Sequence, residues 1–344
     1  MKLYQRTPLS DRQSVLHSPP WSQETPPLKK PGAGGTRALS SRRGKLLPLP
    51  STSMKRVEDL IRRVASSGAP VTLLGESGVG KEGLARLVHG ASGRCGDFVA
   101  LNSATLRPEL ACSELFGHLK GAFTGALSSQ SGAFRAADEG TLFLDEIAEL
   151  SLEVQARLLR TLEEGEVRPV GSAQPTAVDV RLVTATHHNL SAAVRDGRFR
   201  EDLFHRIYVL PIRIPPLRDR PEDIIALTRN FLEELPLRCT LTDSAWKKIL
   251  EHPWTGNIRE LLNALDRACL VADSPLIGPE DLLLIQGADG ETDFDDLIHD
   301  RVLQEYEATG RSVARTSKEL GLHRSRVYRH LRRVRILESE CITS

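Results

Sequence analysis

The chain has 344 residues and a mass of 37.9 kDa, which is room for two or three domains. Hydrophobic residues make up 40% of it, enough to bury a sizeable core, so a wholly disordered chain is excluded. The formal charge of +1 by itself argues against a strongly basic nucleic-acid-binding protein. No run approaches the roughly 18 apolar residues of a membrane-spanning helix, and the first residues lack the apolar segment of a signal peptide. We therefore expect a soluble, intracellular protein with no membrane partner.

The five cysteines are odd in number, far apart and never arranged as C-x-x-C. This spacing favours neither a disulfide framework nor a cysteine-based zinc site, and it predicts reduced thiols.

The total charge conceals three regions of different charge. Residues 1–50 hold nine basic and two acidic residues, a net charge of +7, together with eight prolines. This composition predicts a disordered basic tail. Residues 311–335 hold nine basic residues and one acidic residue, a net charge of +8, and have helical character. The rest of the chain therefore carries −14, so an acidic body lies between two basic ends.

Strand-like and helix-like segments alternate through the acidic body. After a helical pattern that begins near Ser51, four segments have the apolar character of buried strands: 71–75, 98–102, 141–146 and 180–186. Helical stretches such as 151–164 lie between them, and this alternation predicts an α/β fold over residues 51–215, with helices on both faces of a parallel sheet. From 216 to 286 helical signals replace strand signals and predict a smaller, all-helical subdomain.

A glycine-rich loop lies between the first predicted strand and the next helix. Its residues are Gly75, Glu76, Ser77, Gly78, Val79, Gly80, Lys81 and Glu82. This order lets successive backbone N–H groups face one anion, while Lys81 reaches the outer phosphates of a nucleotide. Glu82 stands where many phosphate loops place a hydroxyl ligand for Mg²⁺, so the metal ligand must come from elsewhere. A purely structural glycine turn is the alternative, which the strand–loop–helix context disfavours.

Two carboxylates, Asp145 and Glu146, end a very apolar strand. Open α/β sheets bind ligands at the carboxyl ends of their strands, so we expect Asp145 to hold Mg²⁺, directly or through water. Glu146 would polarise the water that attacks the γ-phosphate of ATP. Alone, such a pair is more often a solvated strand end. The residues expected to contact the nucleotide here are Ala137, Asp138, Glu139, Gly140, Thr141, Leu142, Phe143, Leu144, Asp145 and Glu146.

A third segment places an aromatic and a hydroxyl side chain between glycines. It consists of Gly121, Ala122, Phe123, Thr124, Gly125 and Ala126. It has neither strand alternation nor a helical face, and a flexible loop with an apolar tip is typical of a partner-binding site. The alternative is a hairpin turn with Phe123 folded into the core, and the residues alone favour this alternative.

Residues 287–344 are predicted to form a linker and a small helical domain, with helices at 294–309, 312–320 and 324–334. A helix, a short turn beginning with glycine and a basic helix are typical of a helix-turn-helix. Its core would contain Val313, Leu320, Leu322, Val327 and Leu331. The expected DNA contacts are Arg324, Ser325, Arg326, Tyr328 and Arg329 for bases, with Arg332, Arg333 and Arg335 for phosphates. A basic amphipathic helix that binds an acidic partner is the alternative.

Six segments together resemble the AAA+ domain of bacterial enhancer-binding proteins, which activate sigma-54 RNA polymerase. They are GESGVGKE (75–82), ELFGHLKGAFTGA (114–126), GTLFLDEI (140–147), GRFREDLFHRI (197–207), PPLRDRPEDI (215–224) and WTGNIREL (254–261). Residues 310–336 also resemble a Fis-type DNA-binding domain. The resemblance implies a cytoplasmic activator that uses ATP and Mg²⁺, binds enhancer-like DNA and assembles from dimers into a hexameric ring. Its ATP hydrolysis would convert the closed complex of the sigma-54 RNA polymerase holoenzyme into an open one.

The resemblance also assigns roles to single residues near the nucleotide. It implies that Asn102 switches Glu146 between active and idle positions and that Thr186 senses the γ-phosphate. Arg200 and Arg206 would reach the ATP of a neighbouring subunit and stabilise the charge of phosphoryl transfer. For lone arginines, a surface salt bridge is the usual alternative.

The resemblance implies further contacts outside the sheet. Phe123 and Thr124 would touch sigma-54, with a second loop at 168–176 beside them. Arg259 would contact the nucleotide from the helical subdomain of its own chain. Two positions depart from the expected pattern: Thr255 replaces a proline, and His187 replaces an asparagine, which we expect to alter γ-phosphate sensing without abolishing hydrolysis.

Two other functions are compatible with parts of this pattern. One is an AAA+ remodeller of other proteins or nucleic acids, and the other is a DNA-binding repressor with a vestigial ATPase fold. Enhancer-binding proteins usually carry a receiver or sensing domain before the ATPase. We expect this chain to lack one and to be controlled by its abundance or by a regulatory protein acting in trans.

Overall fold

The computed structural model describes residues 49–123, 125–234, 239–272, 274–284 and 301–320, together with Val327 and Leu331. Two predicted regions lie almost entirely outside these residues: the basic tail and the basic helix at 324–334. All of the predicted DNA contacts lie outside them as well: Arg324, Ser325, Arg326, Tyr328, Arg329, Arg332, Arg333 and Arg335.

Helices and strands alternate along the described chain. The strands are β1 (Val71–Leu74), β2 (Phe98–Asn102), β3 (Gly117–His118), β4 (Gln130–Ser131), β5 (Thr141–Asp145), β6 (Glu166–Val167), β7 (Thr176–Ala177), β8 (Arg181–Thr186), β9 (Leu210–Arg213), β10 (Thr240–Leu241) and β11 (Leu276–Ile277). The helices are α1 (Thr52–Val64), α2 (Lys81–Ser92), α3 (Pro108–Phe116), α4 (Ala133–Ala136), α5 (Leu152–Glu164), α6 (Leu190–Arg195), α7 (Glu201–Ile207), α8 (Pro221–Glu233), α9 (Asp243–Glu251), α10 (Asn257–Val271), the described part of α11 (301–308) and α12 (Val313–Glu319). None of these helices is both long and apolar enough to cross a membrane.

Five strands form a parallel sheet in the order β2-β5-β8-β1-β9. The four strands predicted from the sequence, β1, β2, β5 and β8, are confirmed. β9 was not predicted. It contains Pro211, which cannot donate a ladder hydrogen bond, and it lies at the edge of the sheet, where proline is tolerated.

Helices cover both faces of the sheet, as predicted. Because side chains alternate along a strand, Leu142 and Leu144 of β5 pack into one cluster with α3 to α7. Phe143 points to the other face and packs into a second cluster with α1, α2 and β1. The sheet is therefore buried on both sides, which explains its nearly continuous apolar strands.

The register of the sheet brings four strand ends to one edge. Asn102 is paired with Asp145 across β2 and β5, and Leu74 is paired with Thr186 across β1 and β8. The loop after β1 and the carboxylates after β5 therefore meet at the same edge, where α/β sheets bind ligands.

The described residues of 217–284 pack around a separate apolar core and are called the lid below. Trp254 is fully buried at its centre, and its indole N–H donates to the carbonyl of Ile249 at 2.8 Å. The lid is not entirely helical, because β10, which lies between α8 and α9 in the chain, forms a two-residue parallel pair with β11, which follows α10. Such short pairs carry too few residues to show strand alternation in the sequence.

The C-terminal helices share a small apolar cluster. Val302 of α11 is buried with Val327, and Val313, Leu320 and Leu331 pack around them. Four of the five predicted core residues are therefore found together. Val302 was not predicted, and Leu322 lies outside the described residues.

Candidate active site

The glycine-rich loop connects β1 to α2, as the sequence predicts. Gly78 and Gly80 have φ angles of +73° and +108°, in the region that favours glycine. A Cβ atom at Gly78 would also lie 2.3 Å from the carbonyl oxygen of Gly256 in the lid. Glycine is thus required at position 78 both for the turn and for the close approach of the lid.

Lys81 lies at the first position of α2 and is almost fully buried. Its ammonium group donates to the carbonyl of Gly75 at 3.0 Å and to Oε1 of Glu146 at 3.2 Å. The predicted phosphate-binding cation and the predicted catalytic carboxylate are therefore in direct contact.

Glu146 directly follows β5 and has a φ angle of +51°. Its Oε2 atom lies 2.8 Å from His187 Nδ1, 3.3 Å from the His187 backbone nitrogen and 3.5 Å from the Thr186 hydroxyl. Burial acts to raise the pKa of Glu146, but Lys81 and His187 outweigh it, so the pKa lies below its ordinary value. Both carboxylate oxygens thus have hydrogen-bond partners.

Asp145 ends β5 and accepts a hydrogen bond from the backbone N–H of Glu146 at 3.0 Å. Burial raises the pKa of Asp145 above its ordinary value, although the nearby Lys81 opposes this. A carboxylate whose charge is disfavoured by burial is stabilised by a nearby cation, so its position fits that of a Mg²⁺ ligand. Glu82 pairs instead with Arg86 on α2, at 2.8 Å.

Asn102 lies at the same edge of the sheet, but its side chain points elsewhere. Its Oδ1 atom accepts from the backbone N–H of Ala104 at 2.9 Å. Among the described residues, the structure gives it no hydrogen bond to Glu146. Its predicted switching role therefore has no contact to support it in this state.

The apolar side chains just before Asp145 lie in the core rather than at the carboxyl edge of the sheet. The side chains of Leu142, Phe143 and Leu144 are buried in the two core clusters, and Thr141 contacts His89 at 2.9 Å. A strand rises about 3.3 Å per residue, so only its last residues reach the carboxyl edge. The nucleotide contacts expected at Ala137, Asp138, Glu139, Gly140, Thr141, Leu142, Phe143 and Leu144 stay a prediction.

The lid contacts the phosphate loop directly. Arg259 donates to the hydroxyl of Ser77 at 3.1 Å, which places it beside the loop as the resemblance implied. The backbone N–H of Ile258 donates to the carbonyl of Gly78 at 3.1 Å. The start of α10 therefore lies against the loop that would hold the nucleotide.

Three further lid residues hold this interface and were missed by sequence reasoning. Asn257, fully buried, donates from Nδ2 to Glu76 Oε2 and to the carbonyl of Ser77, both at 3.0 Å. Arg218 makes two hydrogen bonds to Glu76, at 2.7 and 2.9 Å, and they lower the pKa of Glu76. Arg220 donates to the carbonyl of Val79 at 3.0 Å. All three lie within the segments PPLRDRPEDI and WTGNIREL, the only signal that could have indicated them.

The two arginines expected to act on a neighbouring subunit lie on the surface of this chain. Arg200 pairs with Asp202 at 2.7 Å, and Arg206 donates to the carbonyl of Leu162 at 2.7 Å. Neither contacts the phosphate loop of its own chain among the described residues. Both the surface salt bridge and a role in a neighbouring subunit are compatible with this position.

Residues 121–123, 125 and 126 lie in the loop of a hairpin between β3 and β4. Phe123 is half-buried against His118, with ring centroids 5.0 Å apart, and does not belong to a core cluster. Leu127 next to the tip is 86% exposed. The loop 168–176 lies beside it, because the N–H of Leu119 donates to the carbonyl of Val170 at 3.0 Å. Thr124 lies outside the described residues.

Comparison with known proteins places this geometry in a family. The signature of the sigma-54 interaction domain matches residues 48–213, and that of an AAA+ ATPase lid domain matches residues 218–292. The Nif-specific regulatory protein of Azotobacter vinelandii is 48% identical over 247 residues, 70% of this chain and 47% of that protein. The DNA-binding transcriptional regulator NtrC of Azospirillum brasilense is 43% identical over 265 residues, 75% of this chain and 54% of that protein.

The chain thus spans about half the length of these curated relatives. A solved structure matches more completely. The structure of NtrX from Brucella abortus in complex with ATP has a TM-score of 0.65 at 31% identity, covering 85% of this chain and 70% of that one. With both domain signatures present in the same order, this chain belongs to the sigma-54 interaction family of AAA+ proteins, which includes the sigma-54-dependent transcriptional regulators.

Proposed function

We propose that this protein is a transcriptional activator that hydrolyses ATP to convert the closed complex of sigma-54 RNA polymerase into an open complex. The contact of Lys81 with Glu146, at the edge where the glycine-rich loop meets β5, carries this proposal. A cation for the phosphates and a carboxylate for the attacking water are the two groups that ATP hydrolysis requires side by side.

Each residue on this edge of the sheet has a separate role in ATP hydrolysis. The N–H groups of the glycine-rich loop and Lys81 bind the phosphates, and Asp145 holds Mg²⁺, which neutralises phosphate charge when bound. Glu146 accepts the proton of the attacking water. In the state described it is idle, because Lys81 and His187 occupy its two oxygens. Asn102 is the residue we expect to hold it in another state.

The lid reports the state of the nucleotide. Arg259 and Asn257 contact the loop through Ser77 and Glu76, so phosphates bound there alter the position of α10. Thr186, whose hydroxyl lies 3.5 Å from Glu146, senses the γ-phosphate from the sheet.

The hairpin tip at 121–126 is the proposed contact with sigma-54. Its exposed position and the exposed Leu127 support a partner-binding role. Because loop 168–176 packs beside it, the two loops form one surface at the end of the hairpin.

Assembly and DNA binding complete the proposal. Arg200 and Arg206 act on the ATP of the neighbouring subunit, which requires an oligomer and implies a ring, with a hexamer expected. The basic helix predicted at 324–334 binds an enhancer-like site, and its charge makes binding weaken as salt rises. The activator works in the bacterial cytoplasm, with a trans-acting protein as its expected regulator.

In vitro transcription with sigma-54 RNA polymerase holoenzyme tests the whole proposal. We expect transcripts from a sigma-54 promoter only with this protein and ATP, and none with the Lys81→Ala variant. A non-hydrolysable ATP analogue is the matched control, because it tests binding without hydrolysis. Thr124→Ala should hydrolyse ATP but activate no transcription. If Thr124→Ala activates transcription normally, the alternative of an AAA+ remodeller of other molecules is favoured. If Lys81→Ala regulates transcription normally, the alternative of a DNA-binding repressor with a vestigial ATPase fold is favoured.

A further inference from the structure

Two consecutive histidines follow β8 at the edge that carries Glu146. His187 is exposed and His188 half-buried, and their rings lie with centroids 3.9 Å apart. Metal-ligating atoms of Glu146, His187 and His188 all lie within 4.8 Å of one another. The parallel pairing of β5 with β8 produces this juxtaposition, because it brings the residues after both strands together.

We propose that, in the nucleotide-free chain, Glu146, His187 and His188 bind one Zn²⁺ ion that inhibits ATP hydrolysis. Imidazole nitrogen and carboxylate oxygen bind Zn²⁺ at about 2.0–2.2 Å. Ligands at that radius around a tetrahedral ion lie about 3.4 Å apart, so three atoms within 4.8 Å need only small side-chain rotations.

The donor set selects among metals. Mg²⁺ prefers oxygen ligands and retains its water, whereas two imidazoles suit zinc and its neighbours in the first transition row. Cellular Mg²⁺ therefore does not compete effectively for this cluster. The cluster is also distinct from the proposed Mg²⁺ position, which rests on Asp145.

The charges around the cluster favour a cation. Glu149 lies 3.0 Å from His188 Nε2 and can orient that ring or supply a fourth ligand. Lys81 is the nearby positive group, but it contacts Oε1 of Glu146, whereas His187 faces Oε2. An ion on Oε2 therefore leaves the Lys81 contact in place.

A Zn²⁺ ion bound at this cluster would keep Glu146 inactive in hydrolysis. An oxygen that coordinates Zn²⁺ cannot accept a proton from water, while the glycine-rich loop stays free to bind ATP. This consequence rests on the proposed role of Glu146 in hydrolysis, whereas the binding of Zn²⁺ itself does not.

Calorimetric titration of the nucleotide-free full chain with Zn²⁺ tests the site, with His188→Ala as the key variant. The half-buried side chain of His188 is not part of the proposed hydrolytic machinery, so this variant should fold and hydrolyse ATP. We expect one Zn²⁺ per cluster in the wild type and an affinity at least about tenfold lower in His188→Ala. His205→Ala, which removes another exposed histidine, should bind as the wild type does.

The second measurement is ATP hydrolysis with excess Mg²⁺ and increasing Zn²⁺. Wild type and His205→Ala should be inhibited, and His188→Ala should resist. Equal Zn²⁺ affinity of wild type and His188→Ala would overturn the site, and equal inhibition of the two would overturn its inhibitory role. If His188→Ala loses Zn²⁺ affinity as expected but the wild type hydrolyses no ATP, the proposed function is refuted and the Zn²⁺ site is retained.

Discussion

Glu146 is engaged on both of its carboxylate oxygens, by Lys81 on one and by His187 and Thr186 on the other. Such donors stabilise the charged form, which agrees with its lowered pKa, and they make it a weak proton acceptor. Hydrolysis therefore requires that a donor leave. Phosphates that attract Lys81 would remove one of them, so nucleotide binding itself can begin to activate Glu146.

Replacing Glu146 should separate ATP binding from hydrolysis. Glu146→Gln keeps the size of the side chain but cannot accept a proton, so we expect hydrolysis to fall about 100-fold or more. ATP binding should be retained in Glu146→Gln and lost in Lys81→Ala. Steady-state phosphate release and the binding of a fluorescent nucleotide measure the two effects. Wild-type hydrolysis by Glu146→Gln would show that another group acts as the base.

Asp145 should destabilise the folded chain when it is charged, whereas the charged form of Glu146 is stabilised by its neighbours. Its pKa is raised in the folded chain, so its charged form destabilises the fold as the pH rises through that pKa. Asp145→Asn should therefore raise the free energy of unfolding at neutral pH by about 0.5–2 kcal/mol while abolishing Mg²⁺-dependent hydrolysis. Urea denaturation at several pH values measures the difference, which should shrink toward acid. A destabilised Asp145→Asn protein at neutral pH would contradict this account.

At the scale of elements, the phosphate loop is enclosed between the sheet and the lid. Asn257, Arg218 and Arg220 connect the lid to Glu76 and Val79 of the loop. The loop is thus not a free turn that waits for a ligand. Its conformation depends on contacts with residues about 140 to 180 positions away in the chain.

The backbone of Gly78 offers a test of this enclosure. In Gly78→Ala the new Cβ would collide with the carbonyl of Gly256, and we expect the lid to move away, with loss of ATP affinity and of stability. Gly93→Ala is the matched control, because Gly93 has the same φ of +73° and open space around it. The control should cost only about 1–2 kcal/mol for the left-handed backbone, with normal ATP binding. Chemical denaturation and nucleotide titration of both variants check the comparison, and equal effects would rule out a lid clash.

The sequence was sufficient for local elements and insufficient for contacts between them. Four of the five sheet strands and the loop before α2 follow from apolar runs and glycine spacing alone. The edge strand β9 could not be predicted because it contains Pro211, and proline is acceptable in a strand only at the edge of a sheet. The sequence motif leads us to expect nucleotide contacts at residues 137–144, but strand alternation directs Leu142, Phe143 and Leu144 into the core, which the motif does not indicate. The role of Asn257 depends on the docking of the lid, which no local pattern encodes.

At the scale of the whole molecule, the proposed site is divided between subunits. Lys81 and Glu146 lie in a buried edge of one chain, while Arg200 and Arg206 lie on its surface, without contact to that edge among the described residues. An isolated chain would therefore lack the arginine that stabilises phosphoryl transfer. Hydrolysis should rise more than linearly with protein concentration, which a dilution series of phosphate-release rates measures directly.

Mixing two inactive variants tests the divided site most sharply. Lys81→Ala chains cannot bind ATP but present Arg200 to a neighbouring chain, whereas Arg200→Ala chains bind ATP but do not present Arg200. Each alone should hydrolyse slowly, whereas a mixture should recover activity at interfaces where an intact Arg200 faces an intact Lys81. Arg198→Ala, which removes a neighbouring exposed arginine paired with Asp196, should hydrolyse normally by itself. If Arg200 formed only a surface salt bridge with Asp202, Arg200→Ala would barely change stability and would not change activity, and mixing would restore nothing.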